Sequence, residues 1–311
     1  MTGWTRAWRR AGATILAAAM AGCAGEAGSE ASQSGDVAGQ DTASGSDGAS
    51  NSDGSSGGDA VSNVPSELAI EGLPEGDATA ALPDGTYASR QRFTNKVLLP
   101  PFGDPDETTQ TAWVLHEVRH EAGVVKVQTR ACAISEPTKN GVTTVFPATL
   151  IAALPVWETE VKAYARVSGG FVVDWAPQTT LLGCTLSDPS ADPLPDKADD
   201  PAVVDADKDG NPGGTVKLEG LISGAIYVVQ RSVEHLRGVT VQDGLDGLML
   251  GTREQSIVGA SEAVLASFDL QATKHPDPKR SDFHLRKVTD GTDCAALLAA
   301  PPPLPEGPAI P

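Results

Sequence analysis

The sequence predicts an all-β domain, an antiparallel sandwich or barrel of about nine or ten strands, that follows a disordered stalk. From about residue 85 onward, short runs of β-branched residues are separated by Gly, Pro and Asp, as is typical of strands joined by turns. Val125 and Val127 alternate with polar neighbours, which indicates a strand with one buried face. A sustained 3.6-residue pattern is missing, and only residues 261–267 and 293–299 favour short helices.

The predicted strands share a β-branched or aromatic centre bounded by turn residues. They cover residues 87–99, 124–131, 142–150, 161–167, 171–175, 215–221, 225–233, 248–257 and 283–288. Their regular spacing along about 215 residues favours a sandwich or a barrel.

The start of the chain, residues 1–22, reads as a lipoprotein signal peptide. Three arginines and no acid accompany an apolar run that is too short to span the ~30 Å hydrocarbon core of a membrane. The run ends in Met20-Ala21-Gly22-Cys23, which resembles the bacterial lipobox. This resemblance implies that the thiol of Cys23 is lipidated and that acyl chains such as palmitate anchor the mature protein. Ala24 after the cysteine favours the outer membrane.

The flanks of the β-rich domain differ from it in composition. Residues 23–64 are rich in Gly, Ser, Ala and Asp and bury too little apolar surface to fold, so they form a disordered linker. Residues 65–84 form a transitional arm, residues 85–299 the β-rich domain, and residues 300–311 a Pro-rich tail that we expect to be extended and exposed.

The charge balance excludes one class of partner. Lys and Arg number 23 against 41 Asp and Glu, which gives a formal charge of −18. Nucleic-acid binding depends on clustered cations that displace counterions from phosphates. We therefore expect no nucleic-acid partner. The sequence does not identify the partner in the cell envelope or outside the cell.

Three cysteines follow Cys23, an odd number for an exported domain. Cys132 and Cys184 each end a predicted strand, so we predict that they form the disulfide and that Cys294 stays free. Their spacing does not match a zinc ribbon or a CxxC redox site.

The segment 116–120 reads H-E-x-x-H, the pattern with which zinc proteases place two imidazoles and a general base on one helical face. The surrounding alternation instead favours a β-hairpin, in which His116 and His120 share one face and Glu117 lies on the other. Lys126 occupies the position of a third ligand in the longer metzincin pattern and cannot serve. We predict two surface histidines and do not expect zinc, while a zinc metallohydrolase remains the alternative.

An acidic loop is the candidate metal site. Asp205, Asp207 and Asp209 occupy positions 1, 3 and 5 of a D-x-D-x-D-G segment, the first half of a calcium loop. Asn211 is the fourth candidate ligand, through its backbone carbonyl oxygen. The closing bidentate Glu is missing because Val216 stands at position 12. The alternatives are therefore a calcium site that orders the loop and a plain Asp-Gly turn.

The organisation of the whole chain resembles that of surface lipoproteins of myxobacteria and their relatives. The resemblance depends on the lipobox, the Ser/Gly/Asp stalk and the segment 205–213, and it implies no enzymatic activity. We therefore expect a lipid-anchored protein of the cell envelope that presents a noncatalytic binding or structural domain, with no catalytic residues. A barrel that carries a small apolar ligand is a further alternative.

Overall fold

The computed structural model describes residues 64–98, 106–266 and 271–310. Strands dominate these residues, which confirms the predicted all-β class. The predicted signal peptide, Cys23 and the linker up to residue 63 lie outside the described residues.

Fourteen strands occur in the described part of the chain, more than the nine or ten predicted. They are β1 (Gly85–Leu98), β2 (Asp106–Glu121), β3 (Val124–Ser135), β4 (Val142–Val145), β5 (Trp157–Ala165), β6 (Phe171–Trp175), β7 (Gln178–Leu182), β8 (Gly214–Gly220), β9 (Gly224–Glu234), β10 (Leu236–Val241), β11 (Gly244–Met249), β12 (Thr252–Ala260), β13 (Gln271–Lys274) and β14 (Asp282–Lys287).

The helical segments are short. They are α1 (Ala78–Ala81), α2 (Ala148–Ala153), α3 (Ala263–Ala266) and α4 (Cys294–Ala299), together with 3-10 turns at Ser66–Leu68 and Pro278–Arg280. Asp77 and Asp293 cap α1 and α4, because their carboxylates accept hydrogen bonds from first-turn N–H groups. The predicted strand at 142–150 stops at Val145, since α2 begins three residues later.

Eight strands close into an antiparallel barrel. Their order around the barrel is β1-β14-β11-β10-β6-β5-β3-β2, and β2 pairs back with β1 to complete the ring. Closure leaves no unpaired barrel edge, which removes the template that an open sheet presents to other chains. β13 pairs with the last residues of β1 and extends the barrel wall beyond β14.

A second antiparallel sheet packs beside the barrel. Its order is β12-β9-β8-β4, and β7 also pairs with β9. Leu150 from α2 and Leu265 from α3 join Val216, Ile226 and Val228 in a core against this sheet. The α2 helix also contacts β3, so this core connects the sheet to the barrel.

Large side chains fill much of the barrel interior. Trp175 and Phe283 are fully buried, and their rings meet edge to face with centroids 6.1 Å apart. A Cβ atom on Gly247 would lie 2.7 Å from the Phe283 ring and 2.2 Å from the carbonyl oxygen of Arg237, so only glycine fits there. Gly238 on β10 and Gly247 on β11 interrupt the alternation of apolar and polar residues. For this reason the sequence did not predict either strand as a separate element.

The disulfide differs from the predicted pair: Cys132 bonds to Cys294, and Cys184 is the free, buried thiol. Cys132 on β3 and Cys294 at the start of α4 have Cα atoms 5.1 Å apart. Cys184 instead packs with Val229 and Val258 against the second sheet. The prediction was wrong because Cys132 lies on β3 of the barrel, whereas Cys184 follows β7 of the second sheet.

The C-terminal tail departs from expectation in part: most of residues 300–308 are exposed as predicted, but the end of the tail is bound to the barrel. The Arg92 guanidinium donates to the carbonyl oxygens of Glu306 and Gly307, at 3.2 and 2.9 Å, and the Asp282 carboxylate accepts from the N–H of Ala309 at 3.1 Å. Ile310 is only 3% exposed and packs with residues of the arm and of the barrel wall. Proline removes donors but not carbonyl acceptors, so the tail still binds cationic side chains.

Candidate functional site

The acidic loop lies between β7 and β8, which pair with successive parts of β9 in the second sheet. Its base is closed by two backbone hydrogen bonds, from Gly213 N–H to Val204 at 3.0 Å and from Ala206 N–H to Gly213 at 2.8 Å. Gly213 has a φ of +78°, and a Cβ atom there would lie 2.4 Å from the carbonyl oxygen of Val228. Glycine is therefore required where the loop returns to β8.

Hydrogen bonds inside the loop turn the three carboxylates towards one another. Asp205 accepts from the N–H groups of Asp209 and Gly210, at 3.2 and 2.9 Å. Asp209 accepts from the Asn211 N–H at 2.9 Å and from the Thr215 hydroxyl at 2.7 Å. One carboxylate oxygen of each aspartate lies within 4.8 Å of the others. The structure thus brings together three of the four predicted ligands.

Asn211 contacts the cluster through Asp209. Both its backbone N–H and its side chain hydrogen-bond the Asp209 carboxylate, and this contact contributes to lowering the pKa of Asp209. The larger cause of that lowered pKa is the hydrogen bond from the Thr215 hydroxyl. Asn211 therefore holds Asp209 in its charged form, in which the carboxylate can bind a cation.

Asp207 is the unusual member of the cluster, because it is 7% exposed while its two neighbours are exposed. Its Oδ2 accepts from the N–H of Thr215 at 3.3 Å, but its Oδ1 is buried with no hydrogen-bond partner among the described residues. Burial, followed by the charges of Asp209 and Asp205, raises the pKa of Asp207. A cation bound between the carboxylates would satisfy this oxygen and offset the repulsion.

The H-E-x-x-H segment forms no metal centre of the protease type. It lies on β2, so Glu117 faces outward and is exposed while His116 faces the barrel interior. His120 lies at the end of the same face, where its ring contacts the Asp84 carboxylate. The predicted hairpin is confirmed, whereas the prediction that both histidines are on the surface was wrong for His116.

His116 is instead a buried structural residue. Its Nε2 is 2.8 Å from the Ser89 hydroxyl and its Nδ1 is 3.1 Å from the Thr129 hydroxyl, so both ring nitrogens are hydrogen-bonded. The side chain has no exposed surface, and burial lowers its pKa to about 3. At neutral pH the ring is uncharged. Protonating it would destabilise the folded state, because none of its described hydrogen-bond partners is a carboxylate that could stabilise the charge.

A cavity of about 130 Å³ lies between the barrel and the second sheet. Its apolar wall includes Phe146, Leu150 and Trp157, and its polar wall includes Gln230 and Arg253. No motif in the sequence pointed to this site. A signal was present in β9, where Gln230, Ser232 and Glu234 place polar groups at every second position of the face that carries the core residue Val228.

Three charged groups gather at one end of this region. Arg253 and Glu234 both line the cavity, and Lys274 lies close enough for the Glu234 charge to act on its pKa. Burial raises the pKa of Glu234 and lowers that of Lys274 to about 8. Lys274 donates to the carbonyl oxygens of Met249 and Gly251, both at 2.7 Å, which fixes its ammonium group.

Comparison with known proteins yields no relative: no family model, no curated protein and no solved structure matches the chain. None of the helices in the described residues is long and apolar enough to cross a membrane.

Proposed function

We propose that this protein is an exported lipoprotein of the cell envelope, anchored through Cys23 to the outer membrane, and that it presents a noncatalytic β-barrel domain with a calcium-binding loop. The lipobox at residues 20–23 and the apolar run before it support the anchor. The strand position of the H-E-x-x-H segment supports a noncatalytic role over a metallohydrolase. The excess of acidic residues argues against a nucleic-acid partner.

The buried Oδ1 of Asp207 is the observation that carries the calcium assignment. A buried carboxylate oxygen without a hydrogen bond costs free energy unless a cation or water binds it. One carboxylate oxygen each of Asp205, Asp207 and Asp209 lies within 4.8 Å of the others, so a cation would contact several hard oxygens at once. Calcium prefers such oxygen ligands and tolerates irregular geometry, with waters to complete its shell.

The bound ion would order the loop rather than perform chemistry. The loop between β7 and β8 spans 31 residues and contains no strand or helix longer than an isolated bridge. Asp205 pairs with Gly213 at the base of the acidic turn, directly beside the start of β8. Calcium beside this bridge would therefore hold the loop against the second sheet and stabilise the folded domain.

A thermal melt of the purified, chelator-stripped protein with and without Ca²⁺ tests the assignment. At a free calcium concentration of about 100 times Kd, binding stabilises by about 2.7 kcal/mol, which raises the Tm by about 5 to 11 °C. Asp207→Asn should lose this shift, and its ion-free form should be no less stable than the parent because repulsion is removed. Asp196→Asn, an exposed acid of the same loop, should keep the shift. Equal shifts in both variants, or none in the parent, would refute calcium binding.

The anchor has a separate test. Cys23→Ser should abolish incorporation of labelled palmitate and release the protein from the membrane fraction into the soluble fraction. Unchanged membrane retention of this variant would contradict the lipoprotein assignment. The two tests are independent, because the calcium loop and Cys23 are far apart in the sequence.

A further inference from the structure

We propose that the cavity between the barrel and the second sheet binds a small branched carboxylate, with Arg253 as the group that recognises its charge. This inference goes beyond the calcium loop and does not depend on it. The cavity is built from both parts of the domain, because β1, β2 and β3 of the barrel and β8, β9 and β12 of the second sheet all contribute side chains.

The two ends of the cavity differ in chemistry. Apolar side chains from α2 and the second-sheet core form one end, and they include Leu150, Leu182 and Val228. The other end carries Arg253 and Glu234. A ligand that matches both ends has a compact apolar body and a charged group, which is the usual design of small-molecule sites.

The charge balance favours an anion. Two cationic groups, Arg253 and Lys274, stand against one carboxylate, Glu234, and all three are coupled electrostatically. The Lys274 ammonium is already bound by two backbone carbonyls, so Arg253 is the cation that faces the cavity. A ligand carboxylate would join Glu234 as a second anion and so balance the two cations, Arg253 and Lys274.

Arg253 retains unused hydrogen-bonding capacity. Its Nη1 donates to the Gln110 side-chain oxygen at 2.8 Å, and its guanidinium stacks 4.6 Å from the centre of the Phe93 ring. These contacts fix the orientation of the group. Its Nε is buried and has no hydrogen-bond partner within the part of the chain that the structure describes. Arginine donors pair well with carboxylates, and Arg253 is one of the residues that line the cavity.

The volume sets the size of the ligand. A cavity of about 150 Å³ accepts benzene, which has six non-hydrogen atoms. The 130 Å³ here suits a molecule of about the same number of atoms. Isobutyrate meets this requirement: its isopropyl group matches the apolar end, its carboxylate matches Arg253, and isobutyramide is its neutral counterpart of the same shape.

A single water is the competing explanation for the Arg253 Nε. A second, small cavity of about 10 Å³ also borders Arg253, and this volume is about the minimum that holds one water. A water there would satisfy the donor without any ligand. The two explanations make different predictions for added carboxylate.

The experiment is a titration of the whole chain with isobutyrate and, separately, with isobutyramide, followed by ¹H–¹⁵N NMR. We expect the Trp157 indole and the Gln230 side-chain amide signals to shift with isobutyrate, with a Kd between about 10 µM and 5 mM. Isobutyramide should bind at least tenfold more weakly. No shift at about 20 mM isobutyrate, or equal binding of the amide, would overturn the proposal and leave the single water as the explanation.

Variants locate the binding site. Arg253→Gln should weaken isobutyrate at least tenfold, whereas Arg119→Gln, which removes an exposed arginine of the barrel surface, should not. Ala131→Leu, which fills the cavity and leaves every charge in place, should abolish the shifts. Unchanged isobutyrate affinity in Arg253→Gln or Ala131→Leu would refute the site. The comparison of carboxylate and amide on the parent protein decides the question even where a variant fails to fold.

Discussion

The buried His116 predicts a specific loss of stability in acid. Its pKa in the folded protein is about 3, against 6.5 for an unperturbed histidine. The folded state therefore resists a proton that the unfolded chain binds readily below pH 6.5. The corresponding stability is fully present above about pH 6.5 and is lost as the pH falls towards 3.

The size of the effect follows from the two pKa values. A difference of about 3.5 pKa units corresponds to at most about 5 kcal/mol at pH 3 and below. Between pH 7 and pH 5, where the unfolded state becomes almost fully protonated and the folded state does not, the loss is about 2 kcal/mol. Other acidic and basic groups also change stability over this range, so the His116 contribution must be isolated by difference.

His116→Gln provides that difference, because a glutamine amide can still hydrogen-bond the Ser89 and Thr129 hydroxyls but does not titrate. Urea unfolding of both proteins at pH 7, 6 and 5 gives the free energy of unfolding at each pH. The offset at pH 7 reports altered packing. We expect the parent to lose about 2 kcal/mol more than the variant between pH 7 and pH 5. Parallel curves would refute the neutral, buried state of His116.

Two further predictions concern covalent and terminal contacts. Cys294→Ser should lower the free energy of unfolding by about 2 to 5 kcal/mol, since the disulfide bridges a sequence separation of 162 residues. Cys184→Ser should leave the Cys132–Cys294 disulfide intact. A peptide map that links Cys132 to Cys184 would contradict this pairing. Ile310→Ala should lower the free energy of unfolding by about 2 kcal/mol and make residues 300–311 more sensitive to proteolysis. Leu298→Ala, which truncates a side chain that is 45% exposed, should lower it little. Equal effects of the two variants would show that the tail is not docked on the barrel.

The sequence predicted the local features well. Alternation at residues 124–131 identified β3, and the same reasoning identified the hairpin that removes the H-E-x-x-H segment from the metalloprotease class. The spacing of Asp205, Asp207 and Asp209 identified a loop whose carboxylates converge. These features succeed because period-two burial and short turn motifs depend on neighbours within a few residues.

Other predictions failed where the outcome depends on distant parts of the chain. Residues 236–249 carry too many glycines to show a strand pattern, yet they form β10 and β11 because Phe283 fills the space above Gly238 and Gly247. Cys132 pairs with Cys294 because α4 packs on the outer barrel wall through Leu297 and so places Cys294 beside it. The Pro-rich tail has no apolar pattern apart from its last residues, yet Arg92 and Asp282 hold it.

The amino-acid order alone thus determined the all-β class and the acidic loop, because both depend on residues close together in the chain. Barrel closure, the burial of His116 and the cavity beside Arg253 arise only when strands far apart in sequence pair and pack. A two-residue period tells which side chains share a face, but not which face becomes the interior. That choice depends on the free energy of burying all the faces together.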